Sequence, residues 1–410
     1  MSSRIRKYSV RRDKKATQRI WQECGWISDE KRELEAFDIF MDAGNVWVYE
    51  LDGSAEGLVH STPAHLLHTR TELRLAAITA VNTSRVARNL GAASATLAQA
   101  IAEEAANGAQ LTGLGIFEQG FYDRLGYGNG TYEHWVSFDP AWLVDLGKPR
   151  TPERLSSDDW REVHESRLKR YKLHGAVDLL PPGITRGDMK FEKNSFGLGY
   201  REDGEITHHF QAHAENVSRG PYTIDWMSYQ NLDQLRELLA LIRGLGDQVR
   251  VVKIHEPKHI QLQSLLRKPF QLYNITADTK NASRALAYAY WQIRILDLQA
   301  CVGAISIADS LEFNLRLSDP IGVLLPDDAP WRGLDGEYSV SLGTRSSAVP
   351  GAREGLPILE ASVNDLSRFW IGSARADTLA ALGTFRADKE LIAALDESVH
   401  LPNPEPDWDY

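Results

Sequence analysis

The sequence is poor in cysteine: Cys24 and Cys301 are its only two, and they stand far apart. That excludes a disulfide framework and fits a reducing, cytoplasmic compartment. No apolar run is long enough to cross a bilayer. The basic opening, MSSRIRKYSVRRDKK, leads into no apolar stretch, so it does not read as a secretory signal. Low-complexity segments and short-period repeats are absent. Positive charge is not in excess, since 46 Lys and Arg face 56 Asp and Glu for a net charge of −10. Nucleic acid is therefore set aside as a partner, and cationic partners are favoured.

What is present is globular. The chain of 410 residues is 43% hydrophobic and 25% charged, long enough for two to four domains. Residues 3 to 10 read as a strand, followed by helices from Lys14 to Cys24 and from Asp29 to Met41. NVWVYELDGSAEGLVHST (45 to 62) reads as two strands joined at Asp52-Gly53. TELRLAAITAV (71 to 81) is an apolar strand. RNLGAASATLAQAIAEEAANG (88 to 108) is a helix with Ala93, Leu97, Ala100 and Ile101 on one face and Gly108 as its stop. LTGLGIF (111 to 117) and TYEHWVSF (131 to 138) are further strands, and the last of these closes a first α/β domain, residues 1–146.

GKPRTPERLSSDD (147 to 159) reads as a linker. Beyond it, YTIDWMSY, a helix capped by Asn231 with a stripe of Leu232, Leu235, Leu238, Leu239 and Ile242, and VRVVKI repeat the strand-helix-strand order. This implies a duplicated fold over residues 147–292. From Ile293 the pattern changes. LEFNLRL and EYSVSL alternate as half-buried antiparallel strands, and helices follow near 363–372, 376–383 and 388–399. Residues 293–410 thus form an α+β domain.

The chemistry concentrates in ITAVNTSRVARNLGAASATL (78 to 97). A strand ends near Val81, a turn carries Arg85, Val86, Arg88 and Asn89, and Gly91, Ala92 and Ala93 open a helix. A helix start with small residues suits a pyrophosphate, through free N–H groups and the positive end of the dipole. Arg88-x-x-Gly91-x-Ala93 resembles the acetyl-CoA loop of GNAT acetyltransferases. Downstream, FYDRLGYG, Phe121 to Gly128, resembles the tyrosine motif of the Eis (enhanced intracellular survival) family of GNAT acetyltransferases. That resemblance spans the chain. It implies tandem GNAT-like domains followed by a sterol-carrier-protein-like domain, with acetyl-CoA as co-substrate and symmetric homo-oligomers, often hexamers. It implies Tyr122 as general acid, and as general base the α-carboxylate of the final aromatic, Tyr410. The loop residues Val81 and Arg85 to Ala93 would hold the cofactor. This loop is less basic than the family's Pro-x-His-Arg-Arg run, and Glu118-Gln119 stands where Ser-Glu is usual.

PNPEPDWDY, the last stretch, supports a held tail on its own terms. Disordered tails are poor in aromatics, yet Trp408 and Tyr410 are here, on a rod stiffened by proline. Amine acetylation needs a neutral amine and a proton for the leaving thiolate. An alkyl ammonium titrates near ~10.4 and an α-carboxyl near ~3.5, so burial of the carboxylate would narrow the gap.

Trp21, Glu23, Trp26 and Asp29 form an aromatic-and-acid set suited to a cationic amine. The second domain lacks a phosphate loop at its equivalent helix and is expected to bind no acetyl-CoA. His208, His209 and His213 match no zinc spacing and read as surface histidines, and His255 and His259 are divided by Pro257, so no metal is expected. Two functions fit: an acetyl-CoA-dependent N-acetyltransferase acting on a small cationic amine or a lysine side chain, or an acyl-CoA-binding or assembly protein without turnover. Neither requires nucleic acid or membrane.

Overall fold

The structure is a computed structural model describing residues 2–257, 260–270 and 279–410. His259 lies outside these residues. The first stretch of chain runs β1 (Ser3–Lys7), α1 (Val10–Glu23), α2 (Lys31–Asp42), β2 (Asn45–Leu51), β3 (Ser54–His68), β4 (Thr71–Thr83), α3 (Ala92–Ala106), β5 (Leu111–Gly115), α4 (Gln119–Asp123), β6 (Gly128–Asn129) and β7 (Tyr132–Phe138). The middle contains β8 (Glu153–Leu155), α5 (Trp160–Leu168), β9 (Val177–Leu179), α6 (Pro182–Phe191), β10 (Ser195–Glu202), β11 (Glu205–Ala214), β12 (Tyr222–Ser228), α7 (Leu232–Gly244), β13 (Val252–His255), β14 (Arg284–Ala289) and β15 (Trp291–Ile295). The last part is α8 (Leu298–Gly303), β16 (Leu311–Ser318), β17 (Gly336–Leu342), β18 (Ser347–Pro350), β19 (Ile358–Ser362), α9 (Val363–Trp370), α10 (Ala376–Ala381), β20 (Phe385–Arg386) and α11 (Lys389–Ser398).

Local chemistry accounts for the boundaries. Asp52 and Gly53 take φ of +46° and +89°, the left-handed pair that a two-residue hairpin between twisted strands requires. Asp203 and Gly204 do the same between β10 and β11, at φ +52° and +87°. α3 begins at Ala92 rather than at Arg88, because Asn89 and Gly91 hold φ of +63° and +73° and cannot continue a helix backwards. Asn231 caps α7 by accepting from the Gln234 N–H at 3.0 Å, and the Leu235, Leu238, Leu239 and Ile242 face is buried.

The strands make three sheets, in the orders β1-β2-β3-β4-β5-β15-β6, β14-β7-β13-β12-β11-β10-β8 and β18-β17-β16-β19-β20. β9 joins the first sheet along the far half of β3. This corrects one expectation. The strand at 131–138 does not close the first domain: as β7 it lies between β13 and β14 in the second sheet. Its place in the first sheet is taken by β15, which pairs with β5 and β6. The two strands are exchanged because the ladder bonds are the same whichever sheet a strand enters. Periodicity reports which face is apolar, not which neighbour it meets.

The third sheet is tied to the first through β15 and α9. Arg294 of β15 reaches Asp319 at 2.6 Å with both side chains fully buried, and it donates to the Leu125 carbonyl as well. Ser367 on α9 accepts from the Ile295 N–H at 3.1 Å. Removing one partner of a buried pair leaves an uncompensated charge, so Asp319→Ala is expected to cost about 3–5 kcal/mol in denaturant unfolding. Glu312→Ala, at the half-exposed 2.7 Å pair with Arg353, should cost less than ~1 kcal/mol. Equal costs at the two sites would contradict the role given to the buried pair.

Candidate active site

β3 and β4 slip register between His60↔Ala80 and Ser61↔Ile78, so Thr79 is an extra residue in β4. A bulge bends its strand and increases the local twist. It is pinned from below by His60, whose ring sits 2.6 Å from the Thr79 hydroxyl and 2.9 Å from the Phe40 carbonyl. Burial drives the His60 pKa down to about 3, so the imidazole is neutral, accepting from Thr79 and donating to Phe40. At the same height the parallel pairing of β4 with β5 stops, its last pair being Ile78↔Leu114. Beyond that point the strands part, and a cavity of about 680 Å³ opens between them.

One end of this cleft is the loop and helix start picked out in the sequence. Val81, Arg88 and Ala93 line it. Ala92 is buried against Tyr49 and Ala87. A side chain built at Gly91 would meet nothing within 4 Å, so its backbone stands open. The first N–H to bond back into α3 is that of Ala95, to the Gly91 carbonyl at 3.0 Å. The donors before it have no helical acceptor and lie at the positive end of the dipole. Arg85 and Asn89 are exposed, Val86 is 67% exposed, and none of the three is among the residues that line the cavity. Small residues, open backbone and one lining arginine fit a pyrophosphate.

Tyr122 lies on α4 and lines the cleft with only 6% of its surface exposed. Glu118 caps that helix by accepting from the Phe121 and Gly120 N–H groups at 2.6 and 3.2 Å. The Glu118-Gln119 departure therefore has a structural use. Burial, with Glu118 adding to it, pushes the Tyr122 phenol up to about 12. The turn after it is held from elsewhere in the chain. Gln292 donates to Asp123 at 3.0 Å, and Asn364 of α9 donates to the Asp123 and Tyr127 carbonyls at 2.9 and 2.8 Å.

The tail is threaded into the fold. Thr131 donates to the Pro404 carbonyl at 2.8 Å, and the Glu405 N–H to the His174 carbonyl at 2.9 Å. Asp407 accepts two bonds from the buried Arg170, at 2.7 and 2.5 Å. Trp408 is 3% exposed, with the Arg167 guanidinium 3.7 Å from its ring centre. Tyr410 then lies along β5. Its hydroxyl is 2.7 Å from where a Cβ of Gly113 would be, and its main-chain oxygen 3.0 Å from where a Cβ of Gly115 would be. Two glycines in one strand were the sequence signal for this close approach, and the sequence reading left them unused. Tyr290, also missed, lines the same cleft.

The four proposed acceptor residues do not act together. Trp26 is on the cleft rim. Trp21 is 5% exposed and packs edge-on against Trp26 and Phe37, at 5.1 and 4.8 Å, as core. Glu23 accepts from the Arg85 N–H at 2.7 Å, so it fastens the loop rather than facing an amine. Asp29 is exposed and outside the cleft lining. An amphipathic helix shows which residues share a face, not whether that face meets a core or a cavity. Phe117, 89% exposed, is a rim aromatic that periodicity did not select.

In the second sheet β12 and β13 part after Ile224↔Ile254, as β4 and β5 do. The smaller cavity there, about 280 Å³, is lined by Arg167, Trp226 and Trp408. The Arg167 guanidinium stacks at 4.2 Å on Trp226 as well as on Trp408. The histidines of β11 are not on the surface: His208 and His209 are 0% and 1% exposed. Each has its own partner. His208 meets Glu237 at 3.1 Å, His209 accepts from Trp226 at 3.2 Å, and His213 meets Asp225 at 2.7 Å. Among the described residues no group of His, Cys, Asp and Glu is arranged to hold a metal, and no helix is long and apolar enough to cross a membrane.

Residues 4–130 match the family model of the acetyltransferase (GNAT) domain. The chain thus carries a GNAT acetyltransferase domain in a mixed α/β fold. Among curated proteins none matches the chain. Among solved structures, a conserved protein of unknown function from Enterococcus faecalis V583, described as a probable N-acyltransferase, superposes with TM-score 0.81 at 16% identity over 100% of both chains. A GCN5-related N-acetyltransferase from Anabaena variabilis gives 0.78 at 14% identity, again over 100% of both. Eis1 from Mycobacterium abscessus gives 0.73 at 15% identity over 100% of both. At these identities the likeness is one of fold.

Proposed function

We propose that this chain transfers acetyl directly from acetyl-CoA to a primary amine, carried by a small cationic molecule of aminoglycoside or polyamine type or by a lysine side chain. The observation that supports this best is convergence. One cleft between the parted strands β4 and β5 joins an open helix start at Gly91, a buried phenol at Tyr122 and the main-chain end of Tyr410. In this reading the N–H groups at the start of α3, with Arg88, hold the pyrophosphate of acetyl-CoA. The pantetheine arm takes the edge of β4 near Val81, in the gap that β5 leaves. Trp26 and Phe117 form the amine's side of the rim, where an aromatic face attracts a cation.

The chemistry then divides between two groups. The amine, as its neutral form, attacks the thioester carbon, and its surplus proton passes to the Tyr410 carboxylate. The carbon–sulfur bond breaks as Tyr122 donates toward the departing sulfur, and the proton released by the amine finally resides on the thiol. A thiol titrates near ~8.5, so full transfer from a phenol near 12 is uphill by roughly 5 kcal/mol. The main service of Tyr122 is therefore a hydrogen bond to the developing thiolate. The second GNAT-like domain, 147–292, serves as wall and tail seat, with Arg167 and Trp408 in the place of a ligand. The third, sterol-carrier-like domain holds the tyrosine turn and delivers the tail.

The reading is tested by following acetyl-CoA-dependent thiol release over a panel of primary amines, on protein whose C-terminus is free. Turnover with extended di- or polycationic amines is expected. Tight acetyl-CoA binding without thiol release from any of them would instead favour a binding protein.

A further inference from the structure

α11 ends at Ser398, and the residues after it form neither helix nor strand. Burial along them nevertheless alternates. Pro404, Pro406 and Trp408 are buried, Asn403 and Asp409 are exposed, and Glu405 and Asp407 are half-buried. A period of two is how an extended peptide seats every second side chain in a receptor. The groups that hold it stand far back in the sequence, at Thr131, His174, Arg170 and Val177. The tail thus lies in a groove made by other parts of the chain.

That groove has anchors of its own. The buried Arg170 donates from Nη1 to Asp178 and to the Arg167 carbonyl, and from Nη2 to the Val177 carbonyl, each at 2.7 Å. Its Nε and Nη2 then meet the two oxygens of Asp407, at 2.7 and 2.5 Å, a two-armed contact with one carboxylate. The Val177 N–H adds a third bond to Asp407 at 3.2 Å. Arg167 is fixed in the same way, by Thr185 and Asp188 at 3.2 Å each and by the Trp226 ring at 4.2 Å. Trp408 packs on its guanidinium at 3.7 Å, with the His164 ring 5.6 Å away. Gly175, at φ +89°, runs against the tail, and a Cβ there would meet the Glu405 nitrogen at 2.5 Å and the Pro404 Cα at 2.9 Å. The groove therefore has a fork for an acid, a slot for an indole and a glycine floor. The prolines hold the incoming peptide extended beforehand, which lowers the entropy it loses on seating.

We propose that this groove is a peptide-binding site in its own right, specific for a C-terminus of the form Asp-Trp-x-aromatic, and that it takes such a peptide from solution when the chain's own tail does not fill it. The tail is then a tethered ligand, joined through the exposed Pro402 and Asn403. A short tether gives an effective concentration in the millimolar range, so the native chain excludes a free peptide simply by occupying the groove. Peptide binding stands independently of the chemistry, whereas its effect on turnover rests on the acetyltransferase reading with the Tyr410 carboxylate as base. A peptide with a free carboxylate completes the cleft between β4 and β5. The same peptide ending in an amide fills the groove without supplying a base.

The test is a full-length chain carrying Asp407→Ala and Trp408→Ala, which loosens the tail and leaves the groove as it is. Fluorescence anisotropy follows a free PNPEPDWDY peptide labelled at its N-terminus. Saturable binding to the variant is expected, and none to the native chain, whose own tail holds the groove. A peptide with the same two substitutions should bind at least about a hundredfold more weakly, and a scrambled peptide not at all. No binding to a variant that keeps the native circular dichroism spectrum overturns the proposal. Equal binding of the scrambled peptide, or equal binding to the native chain, overturns it as well. Should the variant fail to fold, the native chain is cut after folding at a protease site inserted between Pro402 and Asn403. The released fragment should then stay with the protein through gel filtration, and a fragment that separates overturns the proposal. Thiol release with the amine panel distinguishes the two levels. A peptide that restores turnover in the variant, while its C-terminal amide binds and does not, supports both. A peptide that binds and restores nothing keeps the groove as a peptide site and removes Tyr410 as the base.

Discussion

Tyr122→Phe should lower kcat by a factor of ~10²–10⁴ while KM for acetyl-CoA and the unfolding midpoint stay near native values. The ring is the structural part of this residue. It packs edge-on against Phe121 at 5.0 Å and Tyr127 at 6.1 Å, in a core with Leu114 and Leu125, and phenylalanine retains all of that. The hydroxyl is the part that changes, and it faces a cleft rather than a core. A donor aimed at developing charge acts mostly in the transition state, so its loss falls on kcat. With its pKa near 12, Tyr122 stays protonated through any ordinary assay range. An alkaline limb below about pH 11 should accordingly survive in the phenylalanine variant, since it belongs to another group. Native kcat in Tyr122→Phe would remove the acid role and leave the tyrosine as packing.

Gly113→Ala should be nearly as damaging to turnover. A Cβ at Gly113 would come within 2.7 Å of the Tyr410 hydroxyl and 3.4 Å of its ring carbons. The ring has little room to yield, because it packs against the core and the segment behind it is fixed by Trp408 and by Asp407 on Arg170. The strand itself accepts alanine, since its backbone stays paired with β4 and β15. The tail end must shift, and misplacement of a reacting group by about 1 Å costs on the order of a hundredfold. A fall in kcat of at least ~10²-fold is expected, with the midpoint lowered only by what the tail's contacts contribute. Gly244→Ala is the control. It sits in α7 with nothing within 4 Å, and should gain about 0.5–1 kcal/mol of stability with activity unchanged. Full activity in Gly113→Ala would mean that the position of Tyr410 does not matter to the chemistry.

The parts of this fold that were legible in the sequence are those decided within a few residues. Asp52-Gly53 needs only its own two φ angles to make a hairpin. The breaks at Asn89 and Gly91 place the start of α3, and Gly108, at φ +92°, places its end. Asn231 and its leucine stripe specify α7, and the helices near 363, 376 and 388 emerged as Val363–Trp370, Ala376–Ala381 and Lys389–Ser398. Each rests on turn chemistry or on a 3.6-residue period, which a linear reading carries in full.

Other features depended on contacts across hundreds of residues. β7 and β15 change sheets because both sheets offer equivalent ladder bonds, and shape alone selects between them. Trp21 and Trp26 look alike in the sequence, yet one faces Phe37 in the core and the other faces the cleft. His208 and His209 of β11 are buried because α7 packs over one face of the second sheet and α5 over the other, something that their spacing could not report. Tyr290 belongs to no motif, and reaches the cleft only because β15 has carried it beside Gly115.

By itself, then, the sequence determined the local elements, the loop and helix start of the candidate site, and the tyrosine that follows the next strand. The tertiary structure decided which strands are neighbours, that the tail is buried, and which aromatic groups share a cavity with it. The physical reason is the same throughout. Backbone conformation is set by near neighbours, whereas burial and hydrogen-bond partnership are set by whatever distant surface completes the fold.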